Sequence, residues 1–176
     1  MVIFGGSAAV AANASVYAPV SETRRKNAAT IRDMAQMVRC GTMHVAAVTG
    51  LSGSGKTTLV EALIRRYVAG GARVAAIKHT HHLLNDDDRG DTARFRAAGA
   101  EPVIFAGDGE AIVLPSHLHV RFQLPPELLE HAGDVDIVLV EGFRGFTEWP
   151  HIEVVCGVWR TAGEAAAMLD RIWHPS

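Results

Sequence analysis

The chain has 176 residues, a length that suits one domain, and its 48% hydrophobic content is enough for one substantial core. A formal net charge of −2 leaves no basic footprint for nucleic acid. Two cysteines, Cys40 and Cys156, make neither a disulfide framework nor a zinc site, and no apolar run has the length to cross a bilayer.

Residues 1–20 are rich in Ala, Val and Ser. No Lys or Arg precedes the apolar part, and glycines interrupt it, so a secretory leader is not expected. Ile31, Met34, Met37 and Val38 fit a short amphipathic helix within residues 22–40. Residues 1–42 are expected to be an extension, disordered or partly helical. A nucleotide-binding domain is expected over residues 43–176, in a cytoplasmic protein.

Val45-Ala46-Ala47-Val48 reads as a buried strand. It leads into Gly50-Leu51-Ser52-Gly53-Ser54-Gly55-Lys56-Thr57, which fits G-x-x-x-x-G-K-[ST] at each fixed position. Leu59, Val60, Leu63, Ile64 and Tyr67 then recur at helical spacing. Strand, glycine loop and helix form the order that phosphate binding needs. Glycine lets backbone N–H groups turn inward around an anion, and the new helix points its positive end at the same place. The candidate binding set is Gly50, Ser52, Gly53, Ser54, Gly55, Lys56, Thr57 and Thr58. Lys56 can reach the terminal phosphates, and the Thr57 hydroxyl can ligate Mg²⁺.

Gly70-Gly71 stops the helix, and Arg73 to Ile77 reads as a second buried strand. It ends at Lys78-His79-Thr80-His81-His82. Asp86, Asp87 and Asp88 read as a solvated loop. Asp91 is the expected N-cap of a helix from Thr92 to Ala98, closed by Gly99. Pro102 to Ala106 and Ala111 to Leu114 are expected strands around the turn Gly107-Asp108-Gly109. Pro125-Pro126 opens a short helix through His131. Val135 to Val140 and Ile152 to Val155 are further strands, and Gly163 to Ile172 is a closing helix. Alternating strands and helices predict an α/β fold of the P-loop NTPase type, a mostly parallel sheet with helices on both faces.

In such sheets ligands sit beyond the carboxyl ends of the strands. Asp136 starts its strand and Glu141 follows its end, so at roughly 3.3 Å per residue they stand about 16 Å apart. Glu141 is then the acid near the phosphates, able to hold Mg²⁺ or orient a water; Lys56 and Glu141 are the catalytic candidates. Asp136 is expected to be structural. Gly142 permits close approach of backbone to ligand. Lys78 and His79 fall on the same rim. For His79, His81 and His82 two readings are open, contact with an anion or ligation of a metal.

The segments GLSGSGKTT, IKHTHH, DTARFRAAGA, DIVLVEGF and PHIEVV, in this order, resemble the molybdopterin-guanine dinucleotide biosynthesis protein B family (MobB). The likeness covers residues 45 to about 155. It implies a homodimeric GTP-binding protein with weak GTPase activity. Such a protein assists the guanylyltransferase that joins GMP to molybdopterin, and molybdopterin itself is a further candidate ligand. It also implies functional positions at the phosphate loop, at Lys78, His79, His81 and His82, at Asp91 and Thr92, and at Glu141 and Gly142. Guanine preference rests on this likeness alone, because the chain has no Asn-Lys-x-Asp box. Arg144 stands where the family often has Lys, and Cys156-Gly157 where an Arg commonly ends the late strand. The residues alone leave other readings: a P-loop small-molecule kinase, a metallochaperone-type GTPase, or a binding module with incidental turnover.

Overall fold

The computed structural model describes residues 43–81, 90–155 and 161–174. The expectations for residues 1–42, His82, the three consecutive aspartates and Cys156 lie outside these residues.

The elements run β1 (His44–Gly50), α1 (Lys56–Ala69), β2 (Val74–His79), α2 (Asp91–Ala98), β3 (Val103–Ala106), β4 (Glu110–Leu114) and β5 (Leu118–Arg121). A 3-10 helix (Pro125–His131), β6 (Ile137–Glu141), β7 (His151–Val154) and α3 (Ala162–Trp173) complete them. Among the described residues the strands form one seven-stranded sheet of order β5-β4-β3-β2-β6-β1-β7. The pairs from β3 through β7 are parallel, and the β3-β4 and β4-β5 pairs are antiparallel.

β6 lies between β1 and β2, so three parallel strands end side by side. The register sets Glu141 opposite Val48 on one side and opposite Lys78 on the other. The phosphate loop begins where β1 ends. Hydrogen bonding of the sheet therefore brings the loop, Lys78 and Glu141 to one edge before any side-chain contact is counted.

Side chains alternate between the two faces of a strand. On one face Ala46, Val48, Val74, Ala76 and Leu139 pack under Leu59, Val60, Leu63 and Ile64 of α1, Phe95 and Ala98 of α2, and Leu169 of α3. On the other, Val45, Ala47, Ala75, Ile77, Val138 and Val140 meet Leu128 and Leu129 of the 3-10 helix, with Trp149. Helical segments thus cover both faces, with the α-helices on the first and the 3-10 helix on the second.

Three local features differ from the sequence expectations. β5 alternates Leu118 and Val120 with His119 and Arg121, but it is only four residues long and mostly exposed, and it is not among the expected strands. Gly90, not Asp91, is the N-cap of α2; Asp91 is its first residue, with a carboxylate engaged elsewhere. The closing helix starts earlier. Thr161 caps α3, its hydroxyl accepting from the Glu164 amide at 3.2 Å while the Glu164 carboxylate accepts from the Thr161 amide at 2.9 Å.

Phe95 is fully buried in the core shared by α1, α2 and the sheet. Phe95→Ala should destabilise the domain by about 3–5 kcal/mol. Urea unfolding checks this: the midpoint should fall with little change in slope.

Candidate functional site

The phosphate loop depends on Gly50. Its φ is +142°, and a Cβ there would stand 2.4 Å from the Val154 carbonyl oxygen of β7 and 2.9 Å from Ser54 Oγ. Only glycine lets the neighbouring strand close on the loop at that point. Gly55 has φ +96° and sets the entry into α1, whose first residue is Lys56. The Lys56 ammonium lies over the loop and donates to the Leu51 carbonyl oxygen at 2.6 Å. Ser52 and Thr58 are exposed, whereas Ser54 is buried and its hydroxyl oxygen has no hydrogen-bond partner.

Beside the loop lies a polar cluster drawn from four elements. Lys78, at the end of β2, places Nζ 2.6 Å from Asp91 Oδ2 and also pairs with Glu141 Oε1. Thr57, in the first turn of α1, has its hydroxyl 3.1 Å from Glu141 Oε1 and 3.2 Å from Asp91 Oδ2. One hydroxyl hydrogen serves one of these acceptors at a time. Asp91 opens α2, where the helix dipole favours a carboxylate. Glu141 is only 2% exposed, and its Oε2 has no partner. A buried carboxylate oxygen left unpaired is costly, and it marks a place where a cation or a donor would be gained. Thr92 is buried next to Asp91. Arg94 lies 3.8 Å from Asp91, but Glu61 of α1 holds its guanidinium more closely, at 2.7 Å.

The histidines take the other face. Lys78 and His79 are consecutive, so the strand turns them to opposite sides. The expectation that the histidines share the crevice of Lys56 therefore gives way for His79, which follows Ala75 and Ile77 onto the 3-10 helix side. Its ring stacks on Phe143 with centroids 4.1 Å apart. Gly142 makes this possible: its φ is +105°, and a Cβ there would press within 2.8 Å of His79 Cβ. Burial lowers the His79 pKa, and the neighbouring His81 imidazole lowers it further, while Asp108 acts in the opposite direction. His81 is 80% exposed in its side chain, with its ring edge-on to His79 at 4.7 Å. The turn after β3 brings Asp108 to both rings, at 3.6 Å from His79 Nε2 and 3.4 Å from His81 Nδ1. Sequence reading took Asp108 only as a turn residue. A lone Asp between two glycines carries no signal of its distant partners.

Asp136 lies at the amino end of β6, away from the loop. Arg73 donates to it from its backbone amide at 2.8 Å and from its guanidinium at 2.8 and 3.2 Å. These bonds pull the Asp136 carboxyl from 3.8 down to about 2.

A family model described as "Molybdopterin guanine dinucleotide synthesis protein B" (MobB) matches residues 45–171. The molybdopterin-guanine dinucleotide biosynthesis adapter protein of Haemophilus influenzae is 41% identical over 99 residues, which are 55% of each chain. The Escherichia coli protein of the same description is 35% identical over 102 residues, 56% of this chain and 58% of that one. The chain therefore spans a little over half the length of these curated relatives. A solved structure of Bacillus subtilis MobB shares 24% identity, covers 64% of this chain and 68% of its own, and superposes with a TM-score of 0.43.

The Arg73–Asp136 contact predicts a pH signature. Folding depresses the Asp136 pKa, so the contact stabilises above the ordinary value of 3.8 and is lost as pH falls through about 2. Asp136→Asn should melt below wild type at neutral pH, and the gap should close as the solution is acidified towards that range. Thermal melts across the acid range check this, and a gap that stays constant would contradict it.

Proposed function

The chain belongs to the molybdopterin guanine dinucleotide synthesis protein B family, and from that premise we propose that it binds GTP with Mg²⁺ and acts as an accessory factor in guanylyl transfer to molybdopterin. The observation that carries the nucleotide reading is the unpartnered Oε2 of buried Glu141, set beside the first turn of the phosphate-loop helix. The residues fit the metal ion. A hydroxyl from Thr57 and carboxylates from Glu141 and Asp91 are hard oxygen donors of the kind Mg²⁺ takes alongside nucleotide phosphates. When bound, Mg²⁺ would neutralise charge on the phosphates.

The chain's own groups divide the remaining work. The backbone amides opening α1, which have no partner within the helix, would meet the anion, with the helix dipole behind them. Lys56 moves from the Leu51 carbonyl to a terminal phosphate oxygen. Lys78 bridges Glu141 and Asp91 and places a positive charge between the two carboxylates. Glu141 anchors the Thr57 hydroxyl and, with it, orients a water for slow hydrolysis. The acceptor side near Thr92 and Gly142 is the proposed approach for molybdopterin or for the guanylyltransferase. A weak GTPase, a homodimer and a cytoplasmic setting belong to the same proposal. No helix among the described residues is long and apolar enough to cross a membrane.

Lys56→Ala should weaken binding of Mg²⁺-GTP by about 10- to 100-fold, the worth of one charge-assisted hydrogen bond. Calorimetry reads the affinity, and circular dichroism checks that the fold is kept. Unchanged affinity would remove Lys56 from phosphate binding, and equal affinity for ATP would remove the guanine preference.

Glu141→Gln should slow GTP hydrolysis far more than Asp136→Asn, because the two acids sit at opposite ends of β6. It should also reduce the yield of molybdopterin guanine dinucleotide when the protein is added to a guanylyltransferase. A larger loss of hydrolysis in Asp136→Asn would place the working acid at the wrong edge of the sheet.

A further inference from the structure

We propose that His79, His81 and Asp108 form a binding site for one divalent first-row transition-metal ion, with Zn²⁺ the best match to the donors. The site lies at the carboxyl edge of the sheet, on the face opposite the phosphate loop. It stands apart from the nucleotide reading.

The geometry comes first. One ligand atom from each of the three side chains lies within 4.8 Å of the other two. Asp108 Oδ1 is 3.6 Å from His79 Nε2 and 3.4 Å from His81 Nδ1. These separations exceed a normal N–H···O hydrogen bond, which runs about 2.7–3.2 Å. They match the spacing of ligands around a tetrahedral ion: bonds of about 2.0–2.1 Å set neighbouring donor atoms about 3.4 Å apart. The rings stand nearly perpendicular, at 86°, so the two imidazoles can turn their nitrogens towards one point without stacking on each other.

The chemistry agrees. Two imidazoles and a carboxylate suit Zn²⁺ and its neighbours, whereas Mg²⁺ prefers an all-oxygen shell. Three protein ligands leave a fourth position open, as in exchangeable or catalytic sites rather than closed structural ones. The anchor is rigid. His79 is fixed by its strand, by the Phe143 ring stacked at 4.1 Å and by the backbone of Gly142. The Thr80 amide donates to the Ala106 carbonyl oxygen at 2.8 Å, which carries the β2–β3 ladder past His79 and holds the Asp108 turn beside it. His81 and Asp108 are 80% and 76% exposed, so an ion has open access from solvent.

The test uses the full, tag-free chain in excess Mg²⁺, which occupies oxygen sites and spares imidazole. Co²⁺ is titrated by visible absorption and then displaced by Zn²⁺, alongside His81→Ala and Asp108→Asn. Both substitutions are at exposed positions, and matched thermal melts verify the fold. The expected result is one ion per wild-type chain, displaced stoichiometrically by Zn²⁺. Each variant should lose at least about tenfold in affinity, the lower bound seen even for outer-shell partners of a metal. A wild-type chain that takes up no stoichiometric ion overturns the proposal, and so does a smaller loss in either variant.

Discussion

The buried carboxylate of Glu141 is the constraint around which the rest is arranged. At 2% exposure it has lost its water, and an ionised carboxylate in that position needs nearby donors. The sheet supplies them through register. β6 is clamped between β1 and β2, which sets Glu141 level with Val48 and Lys78. Val48 leads to the phosphate loop, and Lys78 brings an ammonium. A buried ion pair of this kind is a poor stabiliser, because desolvation consumes most of the Coulomb gain. A hydrophobic pair would serve folding as well. The Lys78–Glu141 pair, with Asp91 and Thr57 around it, is therefore not explained by stability, which is what the proposed ligand role would account for.

The chain leaving β6 must clear this cluster at once, and it does so through two residues in the left-handed region. Gly142 has φ +105° and Phe143 has φ +49°. Glycine adopts such a conformation freely, but a phenylalanine does not. The stack of Phe143 on His79, and its edge contact with Phe122 at 6.0 Å, are the gains that offset the strain. The turn thus ties the phosphate side of the edge to the histidine side. Glu141 faces one way and Phe143 the other, with one residue between them.

Much of this was legible in the sequence because it is written in contiguous runs. The phosphate loop is local chemistry: Gly50, Gly55 and Lys56 are fixed by the backbone path, and the strand before and helix after confirm the context. Glu141 could be set beside the loop and Asp136 away from it because a strand has two ends, and the loop leaves β1 at only one of them. What stayed hidden is non-local or signal-poor. Asp108 meets His79 only once β4 has folded back beside β3. β5 does alternate Leu118 and Val120 with His119 and Arg121, but four mostly exposed residues at the sheet edge are too short a run to stand out from a loop. Asp91 has the residue type of an N-cap, but the competing attraction of Lys78 drew its carboxylate away, and Gly90 took the cap. The placement of Lys78 and His79 on opposite faces was within reach, since it needs only the period of a strand.

That last point explains how one sheet edge presents two different sets of side chains. Each parallel strand ends by offering consecutive side chains to opposite faces. The crossover from β1 through α1 covers only one of them, the side of Lys78, and the proposed phosphate site lies there. On the other side the β3-β4 pair is antiparallel, and its turn returns to the carboxyl edge next to His79. The two faces differ in the donors they present. One offers ammonium groups, backbone amides and carboxylates suited to a hard ion and an anion. The other offers an imidazole whose pKa burial lowers, a second imidazole and an exposed carboxylate. The alternation of β2 therefore decides which donors each face receives, setting Lys78 beside Glu141 and His79 beside Asp108.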